Sequence, residues 1–217
     1  SAAYATVTTA GAATGRQAAQ IGPFPVPIGS TVNLTEAMAT GSTSVIGAYT
    51  SIYECWSDGV RLATGTGTTG SVVTPNRLSA SVVCTWFNSP RPASTVQLTK
   101  TIQDFSGLTR PGVGWTLGTT ATATIGTATV LPSEAPRQQT DANGQATWSV
   151  LFGSTAARAT VVVSEVQQPG FAFVSGTCTV NGAARPVTFT QSGTVVSGSI
   201  TDVASASNTI SPSATFV

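Results

Sequence analysis

Two ionisable side chains fall where the sequence pattern calls for core residues. In Val96-Gln97-Leu98-Thr99-Lys100-Thr101-Ile102 the apolar Val96, Leu98 and Ile102 alternate with polar residues, and Lys100 lies in the apolar phase. In Val161-Val162-Val163-Ser164-Glu165 the residues Val161, Val163 and Glu165 share a phase in the same way. A lone inward Lys or Glu is costly unless it is paired, so the two are expected to meet in one core. The plain chemistry of such a meeting is a buried ammonium–carboxylate pair. The alternative is a lysine whose ammonium snorkels to the edge of the sheet.

Most other chemistry is excluded by what the chain lacks. It contains no histidine, which removes every Ser-His-Asp or Cys-His arrangement and the commonest metal ligand. Cys55, Cys84 and Cys178 are an odd set with no C-x-x-C spacing, so no zinc site is expected. Asp141-Ala142-Asn143-Gly144 supplies the start of a calcium loop without its closing Glu and reads as a turn. The Gly/Thr-rich run Gly65–Gly70 lacks the Gly-Lys-Ser/Thr of a phosphate loop. Asn33-Leu34-Thr35 is a glycosylation sequon set inside an expected strand. Trp56, Trp86, Trp115 and Trp148 suit sugar stacking no better than core packing. The acidic residues are too scattered to propose a catalytic pair. No catalytic residue, metal or cofactor is therefore expected, and the chain reads as a non-enzyme.

Composition agrees with that restraint. Of 217 residues, 41% are hydrophobic and 8% charged, against ~25% charged in an ordinary soluble domain. Nine basic residues face eight acidic ones for a net charge of +1, which leaves no basic groove for nucleic acid. No apolar run approaches the ~20 residues of a membrane span. The start, Ser1-Ala2-Ala3, is compatible with signal-peptide cleavage or with loss of an initiator Met.

The elements that would position Lys100 and Glu165 are strands. Hydrophobic stretches are short, often alternating, and bounded by Gly, Pro, Asn or Asp, the pattern of an all-β chain with essentially no helix. In the first half, strands are expected at Tyr4–Thr9, Thr31–Glu36, Ser44–Trp56, Arg61–Thr64, Gly70–Thr74 and Ser79–Phe87. In the second they are expected at Thr95–Asp104, Thr120–Val130, Ala146–Phe152, Ala159–Val166, Phe171–Val180, Pro186–Gln191, Thr194–Ile200 and Ser213–Val217. Ser89-Pro90-Arg91-Pro92-Ala93 reads as a short, stiff linker, dividing the chain into residues 1–89 and 94–217. A faint repeat joins the halves. Cys55-Trp56-Ser57-Asp58-Gly59 matches Cys178-Thr179-Val180-Asn181-Gly182, each a Cys-bearing strand entering a hairpin-type turn. In both halves Val/Thr strands and a terminal strand follow, which sets Cys178 opposite Ala214 where the first half has Cys84.

The second half resembles the prealbumin-like (transthyretin-like) β-sandwich repeats of Gram-positive surface adhesins and pilins, the collagen-adhesin B-type modules. Val96–Ile102 is similar to their Lys-bearing first strand. Thr140-Asp141-Ala142-Asn143-Gly144 with Trp148 is similar to their T-D-x-x-G turn and following strand. Glu165-Val166-Gln167-Gln168-Pro169-Gly170-Phe171 resembles the E-x-x-x-P-x-G-Y signature, one residue shorter. In the first half, Cys84-Thr85-Trp86-Phe87-Asn88 resembles the C-T-F-T-N ending of actinobacterial versions, without a Lys-bearing strand or a T-D-x-x-G turn. The resemblance covers most of residues 94–217 and the later part of 1–89.

The resemblance implies two tandem Ig-like or prealbumin-like β-sandwiches. For Lys100 and Glu165 it implies an isopeptide site, Lys as nucleophile and Glu as proton shuttle, with the Asn partner expected one residue beyond Val217. The core ion pair remains the alternative. In the first half Glu36 and Asn88 have the matching phases and no Lys joins them. In such a module Cys55 and Cys84 lie on neighbouring strands, so a disulfide is expected, with two buried thiols as the alternative. Cys178 is then either a buried inert thiol or an intermolecular one. The expected function is a structural or adhesive protein of the bacterial cell surface, secreted and pilin-like, that self-associates or binds a host or cell-surface ligand. A virion structural protein and a carbohydrate-binding module are the alternatives.

Overall fold

Period-two alternation of apolar and polar residues builds almost the whole molecule. The computed structural model describes residues 5–9, 17–205 and 212–216, the last of these as backbone. They divide into two compact units, Ser1–Pro90 and Arg91–Val217.

Unit 1 holds β1 (Thr31–Thr35), β2 (Tyr49–Ser57), β3 (Val60–Thr66), β4 (Thr69–Val73) and β5 (Val83–Pro90), with one 3-10 turn at Ile46–Ala48. β1 pairs with β4, and a second sheet runs β3-β2-β5, all antiparallel. Tyr53, Cys55 and Val72 form its buried core, with Val32, Leu34, Leu62, Val82, Cys84 and Trp86 packed half-buried around them.

Unit 2 begins with β6 (Ala93–Gln103), β7 (Thr109–Pro111), β8 (Thr116–Ile125), β9 (Ala128–Leu131), β10 (Arg137–Gln139) and β11 (Gln145–Phe152). It continues with β12 (Arg158–Val166), β13 (Gly176–Val180), β14 (Ala183–Arg185), β15 (Phe189–Ser192), β16 (Val195–Ala204) and β17 (Pro212–Phe216). One sheet runs β14-β13-β17-β6-β11-β9, with β7 on β6, and the other runs β10-β8-β12-β16-β15. Val96, Leu98, Leu117, Trp148, Val150, Phe152, Val161, Val163 and Ile200 are shut off from solvent between them, the packing expected of a two-layer sandwich.

The units share a strand plan. β1 on β4 repeats β12 on β16, and β3-β2-β5 repeats β14-β13-β17. The β2–β3 and β13–β14 hairpins turn through Asp58-Gly59 and Asn181-Gly182, all four with positive φ, the geometry of a type I′ turn.

Several expected boundaries move. Residues 5–9 are exposed and form no strand, because alternation alone supplies no pairing partner; Tyr4 lies outside the described residues. The stretch Thr120–Val130 divides into β8 and β9, with the chain turning at Gly126 at φ 70°. Phe171–Val174 stays out of the ladder, and the Phe171 ring instead meets Trp115 edge-on at 5.1 Å. Of the stretch expected as a linker, Ser89 and Pro90 pair with Thr50 and Tyr49 and Ala93 opens β6, so only Arg91-Pro92 lies outside a strand. Pro90 is tolerated at the end of β5, where no ladder donor is required of it.

Candidate functional site

Lys100 and Glu165 are brought together. β6 and β12 belong to facing sheets, and each points the residue into the core, leaving Lys100 3% and Glu165 0% exposed. The Lys100 Nζ donates to Glu165 Oε1 at 3.0 Å, and Gln167 Nε2 donates to the same oxygen at 2.6 Å. Glu165 Oε2 is buried without a hydrogen-bond partner. Burial pushes the Glu165 carboxyl above its ordinary range, and the bonds from Lys100 and Gln167 pull it back part of the way.

The pair sits in a cradle built by loops. The Trp115 ring lies 4.2 Å from Lys100 Nζ, close enough for a cation–π contact. The backbone of Lys100 is clasped on both sides, its N–H donating to Gly144 O at 2.8 Å and its C=O accepting from Gly112 N at 2.9 Å. A Cβ at Gly112 would fall 2.3 Å from Lys100 Cγ. Thr140 ties the cradle together: its hydroxyl accepts from Trp115 N at 2.9 Å and donates to Gly112 O at 2.5 Å. Asp141 Oδ1 accepts from the N–H groups of Asn143 and Gln145, so Asp141–Gly144 is a turn. Of this cradle, Gly112 and Trp115 carry no signal as partners of Lys100 in the sequence, nor Gln167 as a partner of Glu165. The glycine-rich Pro111-Gly112-Val113-Gly114-Trp115 run was the one available hint of a close backbone approach.

Chemically, the site holds an amine against a carboxyl group with water excluded. That arrangement can fix a strand register or pass a proton between the two groups. β17 runs parallel to β6 with Phe216 opposite Lys100.

Unit 1 carries a reduced version. Ser51 Oγ donates to Asn88 Oδ1 at 2.5 Å, and Asn88 Nδ2 donates to Glu36 Oε1 at 2.5 Å. Glu36 Oε2 is buried without a hydrogen-bond partner.

The cysteines follow the strand pairing. Cys55 and Cys84 are directly opposed on β2 and β5 and form a disulfide. Cys178 is opposed by Ala214 on β17 and is a buried free thiol, pushed up to about 11 by desolvation. Trp115 and Trp148 are core residues, whereas Trp56 is exposed at 40%. Asn33 lies exposed on β1. Among the described residues no group of three or more Cys, Asp or Glu could hold a metal, and no helix is long and apolar enough to cross a membrane.

Residues 1–90 match a family model described as a prealbumin-like fold domain. Unit 1 is thus similar to prealbumin-like domains. The match falls on the half in which the single-residue motifs are fewer, the half holding Cys84–Asn88 and lacking a Lys-bearing strand. The strand plan of unit 1 recurs across β12–β17 of unit 2. No curated protein and no solved structure matches the chain.

Proposed function

We propose that the chain is a non-catalytic structural module of a bacterial cell surface, a pilin-like or stalk element that associates with copies of itself. The observation that carries this reading is the outer face of the β3-β2-β5 sheet. There Ile52 stands opposite Phe87 and Trp56 opposite Val83, exposed at 41, 52, 40 and 58% respectively. The charge beside them is internally neutralised. Glu54 accepts from Arg61 at 3.3 Å and from Trp56 Nε1 at 3.1 Å, and the Arg61 guanidinium lies over the Trp56 ring. An exposed apolar patch with an aromatic centre and few free charges is the composition of an interface core. The Cys55–Cys84 disulfide supports an oxidising, extracellular setting, and the prealbumin-like match supports a surface-protein module.

Sedimentation velocity over a concentration series tests it. The unmodified protein is expected to associate as concentration rises, and Phe87→Lys to stay monomeric because it buries an unpaired charge at the contact. A protein that remains monomeric at every concentration overturns the self-association.

A further inference from the structure

The shared strand plan breaks off at one edge. In unit 2 the order β14-β13-β17 continues to β6, which runs parallel to β17 with Leu98 opposite Ala214 and Lys100 opposite Phe216. In unit 1 the order β3-β2-β5 ends at β5, and among the described residues no strand pairs with its other side. The Cys55–Cys84 pair corresponds to Cys178–Ala214, so Trp86 corresponds to Phe216. The position beside Trp86 on the open edge therefore corresponds to Lys100.

Two observations describe unit 1 at that edge. The core-facing Val82, Cys84 and Trp86 stay half-buried, and among the described apolar residues of unit 1 only Tyr53, Cys55 and Val72 are fully buried. Glu36, in phase with the core-facing Val32 and Leu34 of β1, keeps a buried Oε2 without a hydrogen-bond partner beside Asn88. In unit 2 the carboxylate in this role is Glu165, and the donor that answers it arrives on β6. An unpaired strand edge and an under-covered core are two deficits that one strand would remove together, and a lysine on that strand would stand to Glu36 as Lys100 stands to Glu165, whose Oε2 also lacks a hydrogen-bond partner.

We propose that the free edge of β5 accepts an extended strand of another protein, entering parallel to β5 and carrying a lysine beside Trp86 that pairs with Glu36. Its pattern follows β6: apolar, any, apolar, any, Lys, any, apolar, with the apolar positions beside Val82, Cys84 and Asn88. Residues 1–30, which precede β1 as β6–β11 precede β12, contain no lysine, and the one lysine of the chain is committed in unit 2. The recognition is main-chain pairing for affinity and one charge for register. It stands on the topology of the two units and is independent of the self-association proposed above.

The probe is a fluorescent peptide with the β6 sequence, Ser94 to Gln103, titrated into the full chain and followed by anisotropy, with hydrogen exchange locating the contact. The expected result is saturable binding with new amide protection on Val83–Pro90. Binding should weaken at least about tenfold when the peptide lysine is replaced by norleucine, or when Glu36→Gln is made in the protein. The norleucine arm leaves the protein untouched, so it decides even if the Glu36 variant folds poorly. The proposal is overturned by absence of saturable binding at about 1 mM peptide, the weak limit of specific recognition. It is equally overturned by equal affinity for the two peptides, by protection gained elsewhere, or by binding that appears only after residues 1–16 are removed. In that last case the chain fills its own edge. Peptide binding by a strictly monomeric protein would sink the self-association alone.

Discussion

Lys100 on β6 and Glu165 on β12 meet at 3.0 Å across the two sheets of unit 2, both almost fully shut off from water. Their mutual attraction is set against the loss of two hydration shells, so the pair need not add stability over an apolar core. What it does is make each residue depend on the other. Lys100→Met alone strands a buried carboxylate and Glu165→Leu alone strands a buried ammonium, each expected to cost about 3–5 kcal/mol. The double variant is expected to lie within about 1 kcal/mol of the unmodified protein or to exceed it. Denaturant unfolding of the three variants checks this. Two small, additive losses would show that the groups do not depend on one another in solution.

The pH dependence of unit 2 follows from the same pair. Burial raises the Glu165 carboxyl in the folded state, so the native chain holds a proton at pH values where the unfolded chain has released it. The contribution of this group to stability is therefore fully present below the unfolded pKa of about 4.3. It is lost as pH rises through the raised folded value. Asp104 acts in the opposite sense, because the hydrogen bond from Ser106 holds its carboxyl low. The comparison is thus the difference between the unmodified protein and Glu165→Gln, which keeps Asp104 and removes one titration. The melting temperature of the unmodified protein is expected to improve relative to the variant as pH falls from neutral towards that unfolded value. A difference that shrinks over that range would place the folded pKa below the ordinary one.

The meeting of Lys100 and Glu165 was legible because a strand has a period of two, and a charged residue in the apolar phase has few places to go. The opposition of Cys178 to Ala214 was legible because the hairpin at Asn181-Gly182 repeats the one at Asp58-Gly59 and fixes the register from the turn outward. The cradle was not. Trp115 and Gly112 reach Lys100, and Gln167 reaches Glu165, through segments whose paths depend on the assembled sheets, and no spacing along the chain records such an approach. Tyr4–Thr9 reads as a strand by alternation, yet residues 5–9 pair with no other described residue in a ladder. A strand is a property of two segments, and sequence displays one at a time. Phe171 illustrates the same limit, since its β-favouring run is spent on the Trp115 ring rather than on a ladder.

Gly144 closes the turn against the Lys100 backbone, and its replacement separates two effects. It has φ 73°, and a Cβ there would lie 2.5 Å from Lys100 O and 3.1 Å from Gly112 N. Gly170 has φ 84° with nothing within 4 Å of the added carbon. Gly170→Ala is expected to cost about 1–2 kcal/mol, the ordinary penalty of a left-handed L-residue. Gly144→Ala carries that penalty and must also displace backbone that the Lys100–Gly144 hydrogen bond holds, for an expected total of about 2–4 kcal/mol. Urea unfolding of the two variants gives the comparison, and equal losses would mean that the turn does not press on Lys100.

The thiols give a prediction that bears on the surface reading directly. Cys55 and Cys84 are bonded across β2 and β5, whereas Cys178 is buried with its thiol pushed up to about 11. A buried, protonated thiol is a poor nucleophile, so native protein is expected to give no rapid reaction with a disulfide reagent. One thiol per chain is expected to react after unfolding without reductant, and three after reduction. The bridge closes a loop with a sequence separation of 29 residues, for which chain entropy gives roughly 3.6 kcal/mol. Replacing both Cys55 and Cys84 by Ser should therefore lower the stability of unit 1 by most of that amount, with unit 2 unchanged. Reaction of Cys178 in the folded protein would instead mean that β13 opens far enough to expose it. An intermolecular bridge through Cys178 would then become compatible with the fold.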